Sequence, residues 1–268
     1  MVLKYTFFGY IYISPEDDCN AIVDAMLETN YDMDYCIAES FDPGFIVKLM
    51  EAGFLVMSVN LSEEINKPFY VLLPKLHLVR SALFFENLHI KKSIKRRLGQ
   101  YELKTDVEFE YILDRCVEKH GADWLTPPLV ESLKKIKRGV GNRELGMGSG
   151  EWGIGSKEQE IKKDDSLILF KNVYPTSFAV YRNGKLAAGE FGVVCGKVYT
   201  SYSGFYEEDN AGTVQIILTT RYLQEHGYLF FDMGMPLDYK TDLGSVDISP
   251  GDFVKLFRSV SFNIGSDK

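Results

Sequence analysis

A single acid, Asp232, stands where an apolar stretch of the sequence ends, and this position could give it a chemical role. It follows the run YLFF, which is typical of a buried strand, and precedes the polar, turn-rich segment MGMPLDYKTDLGS. A carboxylate at such a place is costly to bury unless it is hydrogen-bonded or used. Asp232 is therefore a candidate for general-base chemistry. The plainer alternative is a strand-end acid that only caps the turn after it.

The segment NLHIKKSIKRRLGQ is a second candidate because it concentrates positive charge. It carries five closely spaced basic residues: Lys91, Lys92, Lys95, Arg96 and Arg97. Their spacing around Ile90, Ile94 and Leu98 predicts an amphipathic helix with a basic face. Such a face suits phosphate contact, and a solvated helix surface is the alternative.

The net charge of −8 makes this basic cluster stand out from an acidic chain. It argues against a protein that coats nucleic acid nonspecifically, since phosphate neutralisation needs a broad basic surface. We therefore expect no DNA partner.

The elements that position Asp232 follow from periodicity and turn residues in 173–268. Residues 177–181 alternate as in a strand, Asn183-Gly184 predicts a tight hairpin turn, and two further strands follow. A helix that Gly227 ends then leads into the strand YLFFDM, and ISPGDFVKLFRSV predicts a last short helix. The order is an antiparallel meander, a helix and a strand.

Upstream, two helices are predicted in DVEFEYILDRCVEKH and TPPLVESLKKIK, the second with Thr126 as cap and Pro127 at its first position. Residues from about 138 to 165 are rich in glycine and charge and predict an inserted loop. Its GMGSG resembles a phosphate cradle. We reject that interpretation, because no apolar strand leads into it and no GK[ST] follows.

Residues 1–78 predict a small N-terminal α/β domain. A strand, TFFGYIYI, precedes a helix start at Ser14-Pro15, a second helix starts at Asp42-Pro43, and the strands FLVMSVNL and FYVLLPKL follow. Residues 79–268 then form a second domain. The predicted class is α+β, with a mixed, mainly antiparallel sheet and flanking helices.

Composition narrows the class of protein. The chain is 46% hydrophobic and 25% charged, as in ordinary globular proteins, and no apolar run is long enough to span a bilayer. Without a recognisable signal peptide at its start, the sequence predicts a cytoplasmic protein with no membrane partner. Its four scattered cysteines predict buried thiols and neither a metal site nor disulfides. We expect no cofactor.

Four stretches, in order between residues 80 and 258, resemble the leucyl/phenylalanyl-tRNA–protein transferase family. They are RSALFFENLHIKKSIKRRL, DWLTPPLVESL, SFAVYRNGKLAAGEFGVVCGKVY and FFDMGMPLDYKTDLGS. The resemblance implies a GNAT-like fold. It also implies transfer of an amino acid from aminoacyl-tRNA to the N-terminal α-amine of a protein or peptide, a tag of the N-degron type.

The resemblance assigns roles to particular positions. Asp232 and Gly234 occupy the family's catalytic Asp-x-Gln pair, and Lys92, Lys95 and Arg96 lie where the family contacts the tRNA body. It implies substrate contacts at five further positions: Trp124, Tyr199, Tyr202, Ser203 and Tyr239.

Several positions depart from the family pattern. Its Gln is Gly234, its later His is Tyr239, its Ser is Asp242, and its Glu that recognises a basic acceptor is Tyr202. Basic N-termini are therefore not the expected acceptors, because a phenol replaces the carboxylate. Asp232 would act through a water or a neighbouring tyrosine, or the reaction has been lost.

Two other functions remain open. One is an acetyl-CoA-dependent N-acyltransferase of the same fold, although the [QR]-x-x-G-x-[GA] loop that cradles the cofactor pyrophosphate is missing after the meander. The other is a noncatalytic relative that binds tRNA or protein N-termini.

Overall fold

Helices cover both faces of a seven-stranded mixed sheet in the computed structural model of this protein, which describes residues 3–62, 67–144 and 172–261. The strands, in chain order, are β1 (Lys4–Tyr5), β2 (Ile11–Tyr12), β3 (Leu55–Asn60), β4 (Tyr70–Lys75), β5 (Arg80–Leu83), β6 (Glu102–Thr105), β7 (Val173–Arg182), β8 (Lys185–Cys195), β9 (Val198–Tyr206), β10 (Phe230–Asp232) and β11 (Val246–Ile248).

The helices are α1 (Cys19–Glu28), α2 (Pro43–Glu51), α3 (Lys92–Lys95), α4 (Phe109–His120), α5 (Pro127–Glu144), α6 (Ala211–Glu225), α7 (Asp238–Asp242) and α8 (Pro250–Ser261). Short 3₁₀ turns lie at Phe85–Asn87 and Leu98–Gln100. The predicted α+β class is confirmed.

The large sheet has the strand order β11-β5-β10-β9-β8-β7-β6. Every neighbouring pair in it runs antiparallel except β9 and β10, which are parallel. A parallel pair needs a crossover, and α6 supplies it. The β7–β8 hairpin turns at Asn183 and Gly184, whose φ values of 50° and 73° suit the predicted tight turn. This mixed sheet is consistent with a GNAT-like fold.

Residues 3–78 form two small antiparallel sheets, β1–β2 and β3–β4, with α1 and α2 beside them. One buried hydrophobic cluster contains Phe45 and Leu49 of α2 together with Phe191 of β8 and Phe253 of α8. The backbone N–H of Ser58 on β3 also donates to the Trp124 carbonyl at 2.9 Å. The two parts of the chain therefore share a core, and the domain boundary at residue 78 stays a prediction.

Two N-terminal predictions need correction. The segment TFFGYIYI is not one strand, because the chain turns between β1 and β2, with Gly9 at φ 83°. Helix α1 begins at Cys19 with Asp18 as its cap, and not at Ser14-Pro15. The backbone N–H and the hydroxyl of Ser14 both donate to Asp17 Oδ2, which holds this stretch in a turn. The predicted start of α2 at Asp42-Pro43 is confirmed.

The basic segment is not one long amphipathic helix. Helix α3 has only four residues, and a 3₁₀ turn follows it. Ile94 and Leu98 still pack into the core as predicted. The His89 backbone N–H donates to the Leu243 carbonyl at 2.9 Å, so the chain docks against the end of α7 before α3 begins. This docking and Gly99 after α3 limit the helix to a single turn.

Helix α5 runs to Glu144, so the predicted loop is wrong for residues 138–144. Its remainder, including GMGSG, lies outside the described residues. Within the described ranges, no helix is long and apolar enough to cross a membrane. The same part of the chain holds no group of three or more His, Cys, Asp or Glu residues that could bind a metal ion. All four cysteines are buried thiols, as predicted.

Candidate active site

A cleft of about 910 Å³ opens where β10 ends and β9 continues. Strand β10 pairs with β9 only as far as Asp232 and Thr200, while β9 extends to Tyr206. The second half of β9 therefore separates from the chain that follows β10. Residues of 201–206 form one wall of the cleft, most of residues 233–240 form another, and β3, α6, His77 and Trp124 complete it. Ligand sites of this size and partly apolar lining are typical of small-molecule and peptide recognition.

Asp232 lies beneath this opening, next to the cleft-lining Met233 and Gly234, and is fully buried. Its Oδ1 accepts hydrogen bonds from Arg80 Nε at 2.9 Å and from the Gly234 backbone N–H at 3.0 Å. Its Oδ2 accepts from Arg80 Nη2 at 2.6 Å and from the Thr200 hydroxyl at 2.8 Å. Since a carboxylate has about four acceptor sites, these bonds leave little capacity for a substrate proton.

The register of the sheet explains this pairing. Asp232 pairs with Ala82 on β5 and with Thr200 on β9. Arg80 lies two residues from Ala82, so its side chain projects from the same face as that of Asp232. Burial alone raises the pKa of Asp232, but the Arg80 charge and the hydrogen bonds outweigh it and hold this pKa below its ordinary value. The carboxylate is ionised.

Arg80 is anchored on its far side as well. Its Nη1 donates to the Gly53 carbonyl at 3.1 Å, and its guanidinium carbon lies 4.0 Å from the centre of the Phe253 ring. The Arg80–Asp232 pair therefore joins β5 and β10 to α8 and to the end of α2. Asp232 does not line the cleft, whereas Gly234, two residues later, does.

Gly234 has a φ of +73°, in the region that favours glycine. A Cβ there would meet only Leu55, at an ordinary 3.7 Å, so the backbone angle and not lack of space favours glycine. The predicted catalytic pair thus consists of a saturated carboxylate and a backbone N–H that donates to it.

A second carboxylate, Glu190 on β8, lies on the opposite face of the sheet and lines the cleft. The Tyr199 hydroxyl donates to its Oε1 at 2.9 Å and the Ser201 hydroxyl to its Oε2 at 3.0 Å, while Gln215 of α6 also hydrogen-bonds to it. Burial raises the pKa of Glu190 to about 7 against the effect of these bonds. Near neutral pH this group is present in both protonation states.

Gly192 makes this arrangement possible. A Cβ at Gly192 would lie 2.6 Å from the Tyr199 hydroxyl oxygen and 2.2 Å from the Thr200 carbonyl oxygen. The register also shifts here, since Phe191 pairs with Ser203 and Gly192 pairs with Ser201. Tyr202 is the extra residue of this bulge.

Two further buried ionisable groups, His77 and Lys240, line the cleft, and the more exposed Lys75, His120 and Asp209 lie along it as well. His77 is buried between β4 and β5, and its Nδ1 has no hydrogen-bond partner among the described residues. Burial, followed by the Arg80 charge, lowers the pKa of His77 to about 3, so its imidazole is neutral. Lys240 lies on α7 and donates to the carbonyls of Met233 and Met235.

Four of the five predicted substrate contacts line the cleft: Trp124, Tyr202, Ser203 and Tyr239. The backbone N–H of Val56 donates to the Tyr202 hydroxyl oxygen at 3.0 Å, which holds this ring against β3. The fifth, Tyr199, is fully buried and does not line the cleft. Its hydroxyl donates a hydrogen bond to Glu190, which does.

The predicted tRNA contacts Lys92, Lys95 and Arg96 are exposed on the surface of the basic segment. This segment adjoins the cleft wall, because Lys91 Nζ lies 2.6 Å from Asp242 Oδ2 at the end of α7. Helix α7 carries Tyr239 and Lys240 into the cleft. The basic segment is therefore separated from the cleft only by the short helix α7.

Comparison with known proteins agrees with the sequence resemblance. A model of the family described as leucyl/phenylalanyl-tRNA protein transferase matches residues 160–258. The protein of that name from Pseudomonas putida (strain W619) is 26% identical over 180 residues, which cover 65% of each chain. The one from Campylobacter lari is 23% identical over 226 residues, covering 83% of this chain and 88% of that protein.

Over these stretches the chain is similar to leucyl/phenylalanyl-tRNA–protein transferases. The match spans just under two thirds of the P. putida relative's length. Among solved structures, the crystal structure of FemX is similar in fold, with a TM-score of 0.41 and 10% sequence identity. The alignment covers 90% of this chain and 78% of the FemX chain. That likeness is too slight to support an argument.

The part of the chain that the family model matches includes β7 to β10, α6 and α7, which supply most of the cleft lining. Sequence reasoning missed Glu190, Lys240 and His77. A signal existed for Glu190, since it is an acid inside the apolar strand LAAGEFGVVC. Nothing in the sequence marked Lys240 as buried, because its surroundings, LDYKTDLG, are typical of a surface turn.

Proposed function

We propose that this protein transfers an amino acid from an aminoacyl-tRNA to the N-terminal α-amine of a protein or peptide. The observation that carries the proposal is that the region matched by the family model is the region that builds the cleft. The motif residues Arg80 and Asp232 meet through two charge-assisted hydrogen bonds beneath the cleft-lining Gly234, whose backbone N–H also donates to Asp232. In this role Asp232 positions the Gly234 loop and does not itself take a proton.

The chemistry asks mainly for positioning. The ester between amino acid and tRNA is already activated, so holding the acceptor amine against its carbonyl supplies much of the rate. The amine forms a C–N bond, the ester C–O bond breaks, and one proton passes from the amine to the departing ribose oxygen. A cleft of about 910 Å³ has room for an aminoacyl group and the first acceptor residue.

The acceptor is proposed not to be a protein or peptide with a basic N-terminal residue. Tyr202 presents a neutral phenol whose oxygen already accepts the Val56 N–H. Two carboxylates line the cleft. Glu190 accepts hydrogen bonds from Tyr199 and Ser201 and has its pKa raised by burial to about 7, whereas Asp209 is exposed in the loop before α6. Neither Tyr202 nor the buried Glu190 offers the free, fully ionised carboxylate that would best pair with an arginine side chain.

A transfer assay tests function and acceptor choice together. The protein is incubated with a mixture of charged tRNAs and peptides that differ only in their first residue, and products are identified by mass. We expect peptides to gain an aminoacyl residue, with arginine-initiated peptides no better than neutral ones. Efficient transfer to arginine alone would contradict the proposed preference, and a lack of any transfer would contradict the function.

The basic segment is proposed to contact the tRNA body. Replacing Lys92, Lys95 and Arg96 by alanine should weaken tRNA binding and reduce the slope of log affinity against log salt by about 2 to 3, since each phosphate contact contributes nearly one unit. Fluorescence titration over a range of salt concentrations measures both. A matched triple variant at the exposed residues Lys185, Lys197 and Lys255 removes the same charge elsewhere. Equal slopes for the two variants would mean that the segment is only a solvated surface.

The acetyl-CoA alternative fits the geometry less well. In such enzymes a helix N-terminus binds the cofactor pyrophosphate. Here Glu207, Glu208 and Asp209 directly precede α6, so a pyrophosphate at this end would face like charge. The noncatalytic alternative is favoured by one observation, the saturation of Asp232, and the transfer assay decides it.

A further inference from the structure

Lys240 is a buried lysine whose ammonium group is held by two backbone carbonyls. The residue is only 6% exposed, and its Nζ donates to Met233 O at 2.5 Å and to Met235 O at 2.7 Å. Both acceptors belong to the loop that follows Asp232 and lines the cleft, as Lys240 itself does. A lysine nitrogen has three positions besides its carbon. Two are fixed here, and the third carries either a proton or a lone pair.

The charges around Nζ come from several elements. Asp232 on β10 and Glu190 on β8 act on it as negative groups. Asp232 is already paired with Arg80, and Glu190 is only partly ionised near neutral pH. His77, between β4 and β5, is neutral. Burial therefore outweighs the two carboxylates and lowers the pKa of Lys240 to about 8.

The aromatic neighbour on α7 does not change this balance. Lys240 Nζ lies 5.8 Å from the centre of the Tyr239 ring, within the range of a weak cation–π contact that favours the charged form. Both forms of Lys240 are therefore populated near pH 8. A neutral Lys240 still satisfies both carbonyls with its two N–H groups and has one lone pair left.

We propose that Lys240 is the base of the transfer reaction: its neutral Nζ accepts the proton that the acceptor amine releases on attack and passes it to the departing ribose oxygen. The amine nitrogen forms the new C–N bond, the proton moves to Nζ, and the ester C–O bond breaks as the ribose oxygen takes that proton. Lys240 returns to its neutral form, and no other reactant is consumed. This inference rests on the proposed function.

The other titratable groups of the site suit this step less well. Both oxygens of Asp232 accept two hydrogen bonds each, and Asp232 does not line the cleft. His77, with a pKa of about 3, is a weak base. The two oxygens of Glu190 accept hydrogen bonds from the Tyr199 and Ser201 hydroxyls. A base works best when its pKa lies near the operating pH, a condition that Glu190 and Lys240 both meet. Lys240 is favoured because its neutral nitrogen keeps a lone pair, whereas both oxygens of Glu190 already accept hydrogen bonds.

Two variants separate this role from a structural one. Lys240→Met removes the base and both hydrogen bonds. Lys240→Arg keeps donors for the two carbonyls but cannot lose its proton in this pH range. We expect both variants to lose about 10²- to 10⁴-fold in kcat/KM, the usual contribution of a general base. If Lys240 only braced the loop, Lys240→Arg would retain most of the wild-type rate.

The pH dependence of kcat/KM distinguishes a base from a residue that only holds the loop in place, because the second role would not change its slope. An acceptor α-amine has a pKa of about 8, so two groups, the amine and Lys240, must be deprotonated in the wild type. Log kcat/KM should then rise with a slope of two below that pH, and with a slope of one in Lys240→Arg. Wild-type and variant profiles that both have a slope of one would overturn the proposal.

A direct titration of Lys240 in the wild-type protein tests the proposal even if the variants do not fold. In the wild-type protein with ¹³Cε-labelled lysine, one lysine signal that disappears in Lys240→Arg should titrate near pH 8, well below the others. Titration of that signal with the exposed lysines would overturn the proposal. Failure of the wild-type protein to transfer from any charged tRNA would instead defeat the proposed function, and this inference with it.

Discussion

Replacing Arg80 by methionine is expected to lower the free energy of unfolding by about 3–5 kcal/mol, because it leaves an ionised carboxylate buried without its partner. Asp232 is fully buried and Arg80 only 2% exposed, so water cannot replace the lost guanidinium. Urea unfolding followed by circular dichroism measures the change. Met fills much of the same volume, so the loss reports the charge and hydrogen bonds more than packing.

The pH dependence of this loss has a definite sign. The pKa of Asp232 lies below its ordinary value in the intact protein, so its contribution to stability is present above the unfolded pKa and disappears as pH falls through the folded pKa. In the Arg80→Met variant burial raises that pKa, and the carboxyl becomes neutral on mild acidification. The difference between variant and wild type should therefore be smaller at pH 4.5 than at pH 7.

A double variant provides the control. Arg80→Met combined with Asp232→Leu removes both charges, so it should be less destabilised than the sum of the two single variants. A strictly additive result, or an Arg80→Met variant within 1 kcal/mol of the wild type at pH 7, would mean that the pair does not hold the base of the cleft together.

Gly244→Ala is expected to have a comparable effect, also about 3–5 kcal/mol. Gly244 has a φ of +98°, and an added Cβ would lie 1.9 Å from the Asn87 carbonyl oxygen. Neither backbone can yield easily, because the His89 N–H donates to the Leu243 carbonyl just beside this contact. The substitution should separate the basic segment from α7 and so disturb Lys240. Thermal and urea unfolding both report it.

Gly227→Ala is the matched control for this prediction. Gly227 also has a positive φ, +75°, but its Cβ would meet nothing within 4 Å. Only the conformational penalty of about 1–2 kcal/mol is then expected. Equal losses at the two glycines would mean that close approach to Asn87 contributes little.

Local pattern was enough to predict the β7–β9 meander, α6 and β10, since each is marked by alternation, a turn such as Asn183-Gly184 or a stop such as Gly227. It did not predict where helices begin and end when tertiary contacts determine those ends. The basic segment has helical spacing, yet docking of His89 on Leu243 shortens its helix to α3. Ser14-Pro15 has the residues of a helix start, but Asp17 holds Ser14 in a turn.

In the candidate site, too, local sequence predicted some features, and others depend on contacts between distant residues. The position of Asp232 at a strand end was readable from sequence, but its partner Arg80 lies 152 residues away and becomes visible only through the register of β5 and β10. Burial of Lys240 depends on the path of the loop after Asp232, which no local pattern specifies. Both missed features are long-range or loop-dependent.

Transfer from aminoacyl-tRNA can be detected directly with one acceptor peptide. A single acceptor peptide is incubated with the protein, tRNA charged with deuterium-labelled amino acids, and acetyl-CoA, and its mass is recorded. The expected product is heavier by one labelled aminoacyl residue, and it should vanish when the tRNA has first been deacylated by mild alkali. A peptide that gains only an acetyl group, or whose mass does not change, would contradict the account.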